Sequence, residues 1–154
     1  MRIAVSACLM GENCKYNGGN NLSPAVIAYV KGHDCLPVCP EVLAGAGIPR
    51  PCVELRNGRA VNAEGTDVDA LYRAGAERAL QQLREFGAEC AILKSRSPTC
   101  GVHRIYDGTF SGKLIDGPGI FARMVCAAGI RVIDSDDLNG GQVRTWAPLS
   151  GSMK

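Results

Sequence analysis

The feature that most constrains the fold is a long amphipathic segment followed at once by a short, wholly apolar one. Between 67 and 86, apolar residues recur at intervals of three and four, which predicts a helix that buries one face. Gly87 supplies a natural stop, and Cys90–Leu93 then has no polar alternation, as is typical of a strand buried on both faces of a parallel sheet. A helix that feeds such a strand predicts a right-handed βαβ crossover and an α/β fold.

The rest of the chain repeats this alternation of strands and helices. Three further strands are predicted at Arg2–Ala7, Cys35–Val38 and Ile130–Ile133. Two further helices are predicted from Pro24 to about Lys31, and from Gly117 or Pro118 to Ala128 with Asp116 as the cap. The pattern indicates a three-layer, Rossmann-like α/β fold with a mostly parallel sheet and helices on both faces. We expect one domain over 1–145 and a C-terminal tail over 146–154.

Two hairpins and a loop complete the predicted elements. Val53–Leu55 and Ala60–Ala63 flank an Asn-Gly pair, the favoured two-residue hairpin turn. A second hairpin is predicted within Ile105–Phe110, turning at Asp107-Gly108. The segment from Glu41 to Pro51 is expected to be a loop with at most one helical turn.

Composition excludes several classes of protein. The chain has 154 residues, enough for one domain with a single core, and its net charge of +2 is too small to favour a nucleic acid or an anionic membrane as a partner. No apolar run approaches the ~20 residues that span a bilayer. The apolar run before Cys8 is too short for a signal peptide. We therefore expect a cytoplasmic protein in a reducing environment.

Eight cysteines are the strongest compositional anomaly. In a reducing compartment, clustered cysteines more often bind metal or do chemistry than form disulfides. Cys8, Cys39 and Cys100 each lie just past a predicted strand, so their thiols are expected at the one sheet edge where ligands collect. Their spacing matches no zinc-ribbon or ferredoxin pattern. Cys14 is the best candidate for an additional ligand, and Cys90 and Cys126 are expected in the core.

Three blocks of the sequence resemble the thiouracil desulfurase family. They are Val5–Gly11 with Lys15–Gly18, Pro37–Val42 with Ile48–Pro51, and Leu93–Gly101. The resemblance runs in order over about residues 3 to 138, and the Cys-Pro-Glu and Lys-Ser-Arg-Ser-Pro-Thr-Cys-Gly stretches are specific. It implies a [4Fe-4S] cluster held by Cys8, Cys39 and Cys100 only, with one iron not ligated by protein.

The resemblance also implies a reaction. An iron without a protein ligand is a soft Lewis acid that prefers sulfur, so a thiocarbonyl bound there becomes open to water and loses its sulfur as sulfide without net redox change. The substrate would be thiouracil or thiouridine monophosphate. Glu41 is the candidate to activate water or move a proton, and Ser97 the candidate to hydrogen-bond substrate. Lys94, Arg96 and Arg104 are candidates to meet a substrate phosphate.

Two other functions remain open from the residues alone. The cluster could instead handle sulfur in tRNA thiolation, although the low charge counts against that partner. Alternatively, the cysteines could hold structural zinc in a binding or sensing module. In the desulfurase interpretation, the expected partners are a small thiolated base or nucleotide and the iron–sulfur assembly machinery, with no membrane. The position of the substrate sulfur and the oligomeric state stay undetermined.

Overall fold

The computed structural model describes residues 1–139 and 145–146, in which helices and strands alternate along most of the chain. The strands are β1 (Arg2–Ser6), β2 (Asp34–Val38), β3 (Val53–Arg56), β4 (Arg59–Asn62), β5 (Cys90–Leu93), β6 (Arg104–Tyr106), β7 (Leu114–Asp116), β8 (Arg131–Asp134) and β9 (Thr145–Trp146). The helices are α1 (Pro24–Val30), α2 (Pro40–Leu43), α3 (Asp69–Phe86), α4 (Ile120–Ala127) and α5 (Ser135–Asn139), and a 3-10 turn covers Ala7–Met10. No helix among these residues is long and apolar enough to cross a membrane.

The central sheet has five strands in the order β2-β1-β5-β8-β9. The first four are parallel, and β9 runs antiparallel to β8. All four residues of β5 are buried, as its lack of polar alternation predicts for a strand covered on both faces. The predicted α/β fold with a mostly parallel sheet is confirmed.

Helices cover both faces of this sheet. On one face α1 contacts α5, and the buried residues Val26 and Val30 of α1 pack with Ile3, Val5 and Ile92 of the strands. On the other face α3 contacts α4, and their apolar side chains pack against the alternate residues of the same strands. The period-two alternation of side chains along each strand divides the core between the two faces.

A glycine allows α2 to pack closely on α3. A Cβ atom at Gly75 of α3 would lie 2.6 Å from Ala44 Cβ and would also meet the Pro40 carbonyl oxygen. Only a residue without a side chain therefore permits this approach of the two helices. The contact fixes α2, a single turn that starts from the end of β2, against a long and well-packed helix.

Two local predictions are corrected by the structure. The Asp107-Gly108 pair does not form a hairpin turn, because β6 pairs with β7 across a longer loop. Contacts with β3 hold that loop open, since the Arg56 guanidinium donates to the Gly108 carbonyl. Asp116 belongs to β7, and Gly119 is the residue that precedes α4.

The predicted boundary between domain and tail falls inside β9. Trp146 pairs with Val132 of β8, so this residue belongs to the sheet. The remainder of the predicted tail, 147–154, lies outside the described residues.

Candidate active site

Three strand ends deliver three cysteines to one cavity. Cys8 lies in the 3-10 turn after β1, Cys39 follows β2 directly, and Cys100 lies in the loop after β5. From β1 the sheet continues to β2 on one side, whereas the strands from β5 to β8 continue on the other side. Open α/β sheets bind their ligands in the crevice at such a change of direction. The cavity there has a volume of about 420 Å³, and all three cysteines line it. The sheet topology thus brings together the thiols that the sequence places after separate strands.

Two more thiols belong to the same cavity. Cys14 is buried and contacts both Cys8 and Cys39, so its thiol lies between two of the three predicted ligands. Cys52 also lines the cavity and contacts the Tyr16 hydroxyl. All eight cysteines, each within the described residues, carry free thiols. Cys90 and Cys126 are buried elsewhere in the core, as both were predicted to be.

The cavity thiols differ in how readily they ionise. A hydrogen bond from Cys14 lowers the pKa of Cys8 to about 6, against the opposing effect of burial. The same donor lowers the pKa of Cys39. Burial raises the pKa of Cys100 to about 12, and hydrogen bonding to Cys39 and Cys8 raises that of Cys14. Cys8 and Cys39 are therefore the thiols best prepared to bind a metal, which takes thiolate rather than thiol.

The Glu41 carboxylate is held by three neighbouring side chains. Arg50 Nε donates to Oε1 at 3.1 Å, and the Tyr72 hydroxyl donates to the same oxygen at 3.4 Å. The Thr99 hydroxyl donates to Oε2 at 3.1 Å. Because Glu41 lies in the first turn of α2, two residues after Cys39, the packing of α2 on α3 also fixes the carboxylate beside the thiols. The carboxylate has both a fixed position and a compensating charge.

Arg50 connects Glu41 to the loop that carries Cys14. Its side chain is only 4% exposed and donates to the carbonyl oxygens of Cys14 and Gly47 as well as to Glu41. A buried guanidinium with all of these acceptors stabilises the loop geometry, whereas an unpaired one would be costly. Arg50 therefore ties two separate loops into one wall of the cavity.

Ser97 organises the loop that carries Cys100. Its hydroxyl oxygen accepts hydrogen bonds from the backbone N–H groups of Thr99 and Cys100. Gly101 lets the loop fold tightly, since a Cβ there would lie 2.8 Å from the Ser97 carbonyl oxygen. Ser97 also lines the cavity, so the residue that shapes the loop belongs to the site.

The three basic residues predicted to meet phosphate occupy different places. Lys94 and Arg96 line the cavity. Burial lowers the pKa of Lys94, whose ammonium donates to Ser95, and Arg96 forms an ion pair with Asp136 at 3.7 Å. Arg104 is exposed on β6 and is not among the residues that line the cavity. Of the three, Lys94 and Arg96 are therefore the residues placed at the cavity.

Several residues of this site were not selected by sequence reasoning. Arg50 and Thr99 stand within the blocks that carry the family resemblance, but their hydrogen bonds to Glu41 arise only in the folded chain. Tyr72 was assigned to the apolar face of the long helix, where its hydroxyl also reaches Glu41. An arginine in an apolar, proline-rich loop is a usable signal, because a buried guanidinium needs an acidic partner.

The donor set suits a polynuclear iron–sulfur group better than one metal ion. Within residues 1–139, no three His, Cys, Asp or Glu side chains are grouped closely enough to hold a single ion. Thiols nevertheless converge on a cavity of about 420 Å³, which leaves room between them for a larger group. Cysteine thiolates are the usual ligands of iron–sulfur clusters. The cysteines that line this cavity, Cys8, Cys39 and Cys100 among them, are thus donors of the kind that such a cluster takes.

Comparisons with known proteins agree with these observations. The solved structure of a "[4Fe-4S]-dependent thiouracil desulfidase TudS" superposes with a TM-score of 0.83 and 37% identity, covering 90% of this chain and 93% of that one. The protein YbbK of Bacillus subtilis (strain 168) is 40% identical over 147 residues, covering 89% of this chain and 97% of YbbK. The 2-thiouracil desulfurase family model matches residues 3–137. The chain belongs to the 2-thiouracil desulfurase family.

Proposed function

We propose that this protein removes sulfur from thiolated pyrimidines, such as thiouracil or thiouridine monophosphate, in a [4Fe-4S]-dependent reaction. The observation that carries the proposal is the convergence of Cys8, Cys39 and Cys100 on one cavity with the Glu41 carboxylate beside them. Membership of the 2-thiouracil desulfurase family and the match to the TudS structure support the same activity.

The three cysteines would hold the cluster and leave one iron without a protein ligand. Cys8 and Cys39 ionise readily, and Cys100 would lose its proton as iron binds. When bound, such a cluster supplies a soft Lewis acid that prefers a thiocarbonyl sulfur to oxygen. The protein's own contribution is to fix three thiolates on one side and keep the cavity open on the other.

Glu41 would accept a proton from the water that attacks the thiocarbonyl carbon. A carbon–oxygen bond forms, the carbon–sulfur bond breaks, and the sulfur leaves as sulfide, so water supplies both the oxygen and the protons and no electrons are transferred. Arg50 stabilises the negative charge of the carboxylate before the proton arrives. The enzyme is therefore proposed as a redox-neutral, hydrolytic desulfurase.

Ser97 and the basic residues Lys94 and Arg96 would position the substrate. Ser97 lines the cavity on the Cys100 loop and would position the substrate through that loop, whose backbone N–H groups its hydroxyl binds. Lys94 and Arg96 are two of the cationic residues that line the cavity, and they would meet the phosphate of a nucleoside monophosphate. The Asp136 carboxylate, which pairs with Arg96, neutralises part of that positive charge.

The proposed setting is the cytoplasm, with one desulfurase domain over 1–145. Eight free thiols suit a reducing compartment, where the protein would receive its cluster from the iron–sulfur assembly machinery. Free thiols beside an open cluster are also exposed to oxidation, so the active protein is expected to need anaerobic handling.

The deciding experiment combines metal analysis with a substrate panel. Protein purified without oxygen should contain about four iron and about four acid-labile sulfide per chain. It should then release sulfide from 2-thiouracil, 4-thiouracil or their nucleoside monophosphates, with unthiolated uracil as the blank. One zinc per chain, or a loaded cluster that releases no sulfide from any of these compounds, would reject the proposal.

A further inference from the structure

The two oxygens of the Glu41 carboxylate have different numbers of partners. Arg50 Nε and the Tyr72 hydroxyl both donate to Oε1, which fills the two acceptor positions of that oxygen. Oε2 accepts one hydrogen bond among the described residues, from the Thr99 hydroxyl at 3.1 Å. Oε2 therefore keeps an acceptor position that a water molecule can use.

The direction of the hydrogen bonds around Thr99 follows from counting protons. The Ser97 oxygen already accepts two backbone N–H groups, and it lies 3.1 Å from Thr99 Oγ1. An ionised carboxylate can only accept, so Thr99 gives its single proton to Glu41 and receives the one from Ser97. The result is a directed chain of hydrogen bonds from Ser97 through Thr99 to Oε2.

This chain lies against one of the predicted cluster ligands. Thr99 is 1% exposed, and its Oγ1 is also 3.7 Å from Cys100 Sγ. The oxygen of Glu41 with a spare acceptor position is thus the one held on the Cys100 side of the cavity. Because the Thr99 side chain is fixed in a buried position, its hydrogen bond leaves the Glu41 carboxylate little freedom to rotate.

The backbone of Thr99 is anchored without help from its hydroxyl. The first N–H groups of α4, from Phe121 and Ala122, donate to the Thr99 carbonyl, and Ile120 donates to the Pro98 carbonyl. Gly119 permits this contact, because a Cβ there would lie 2.6 Å from the Thr99 carbonyl carbon. Removal of the hydroxyl is therefore expected to leave the loop and Cys100 in place.

We propose that Thr99 is the positioning residue that orients the Glu41 carboxylate, and that Oε2 is the oxygen which takes the proton from water. This role rests on the proposed function, because it assumes that Glu41 activates water for desulfuration. Thr99 itself touches neither water nor substrate in this scheme. It acts by holding Oε2 at the Cys100 side, while Arg50 holds Oε1.

The first test replaces only the hydroxyl. T99V keeps the shape and volume of threonine, T99S restores the hydroxyl, and T109V makes the same change at an exposed loop residue as a matched control. We expect T99V to lower kcat per cluster by about 10- to 100-fold, because a misplaced catalytic group costs rate at that order. KM, iron content and the visible spectrum should stay near wild type. T99S should recover most of kcat, and T109V should lose none.

A double-mutant cycle with Glu41 separates orientation from other roles. If Thr99 acts through the carboxylate, T99V should cost little more in a protein that already carries E41Q. Equal fold losses in both backgrounds would overturn the proposal, as would wild-type kcat in T99V. Loss of iron in T99V at unchanged thermal stability would show that the Thr99 hydroxyl is needed to hold the cluster rather than to orient the carboxylate. A loaded wild type without sulfide release would reject the function itself, a result distinct from each of these.

Discussion

Glu41, Arg50 and the cavity thiols show how single side chains depend on neighbours distant in sequence. Arg50 is nearly inaccessible to solvent, and its charge is compensated by Glu41 rather than by water. Breaking a buried ion pair from one side leaves the other charge unpaired, at a cost of ~3 to 5 kcal/mol. Substitutions at this site are therefore expected to change stability as well as rate, so activity must be normalised to bound cluster.

Serine substitutions identify the cluster ligands. C8S, C39S and C100S should each lose most of the bound iron, because a hydroxyl does not replace a thiolate at an iron–sulfur cluster. C90S and C126S are the controls, since both thiols are buried in the core away from the cavity lining. Iron and sulfide per chain are the measurements. Full iron retention in any of the first three variants would show that the ligand set is misassigned.

The role of Cys14 determines whether the proposed cluster has three or four protein ligands. It contacts Cys8 and Cys39 but lies between them rather than at a strand end of its own. C14S should therefore keep its iron in the same analysis, which would leave three ligands.

Removal of the Glu41 charge tests whether this carboxylate acts as the general base. E41Q should lose sulfide release per cluster by ~100- to 10,000-fold, the usual contribution of a general base, while keeping the cluster spectrum. Its melting temperature should also fall, because the amide cannot neutralise buried Arg50. S97A should lose less turnover, because its hydroxyl contributes hydrogen bonds rather than proton transfer. Wild-type turnover per cluster in E41Q would show that the carboxylate is not the base.

At the scale of elements, the packing of α2 on α3 controls the site from outside the cavity. G75A places a methyl group where the Pro40 carbonyl and Ala44 already lie, so α2 must move. We expect a loss of ~1 to 3 kcal/mol in the free energy of unfolding, together with a lower iron content, because α2 begins directly after Cys39 and carries Glu41. Denaturant unfolding and iron analysis measure the two effects. E77A, at an exposed residue of α3, controls for an alanine substitution in the same helix that adds no atoms there.

Elements with strong local periodicity were predictable from sequence, and elements fixed by distant contacts were not. Strand β5 has the predicted bounds, and α3 ends at the predicted glycine, because burial and capping act within each segment. The turn at Asp107-Gly108 was wrong because Arg56 and Glu54 of β3 hold the longer loop. Local turn preference was weaker than those tertiary contacts.

Part of the candidate site could likewise be predicted from the sequence, and part could not. Cys8, Cys39 and Cys100 could be grouped in advance, because parallel strands end at one edge of a sheet. The Thr99 and Tyr72 hydroxyls could not be connected to Glu41, because two loops and a helix meet there only after folding.

For the whole molecule, the proposed cluster joins three segments that are far apart in sequence. Because a ligand that binds only the folded state raises its stability, the loaded protein should melt at a higher temperature than the cluster-free protein. Saturation at ~100 times the dissociation constant adds ~2.7 kcal/mol, which is about 5 to 11 °C for a chain of this size. Anaerobic melting of both forms measures the difference, with C8S as a chain that should show none. Equal melting temperatures would contradict binding across the three loops.

The place of β1 in the sheet has a consequence for the order of events during synthesis. β1 pairs with β2 on one side and with β5 on the other. As the ribosome releases the chain, β1 and β2 emerge long before β5, so the first two thiols can meet while the third is still untranslated. The nascent chain then holds only two of the three proposed ligands and cannot complete the site, and β8 must follow before β5 is enclosed. Delivery of the proposed cluster is therefore expected after translation, to a finished chain rather than to one on the ribosome.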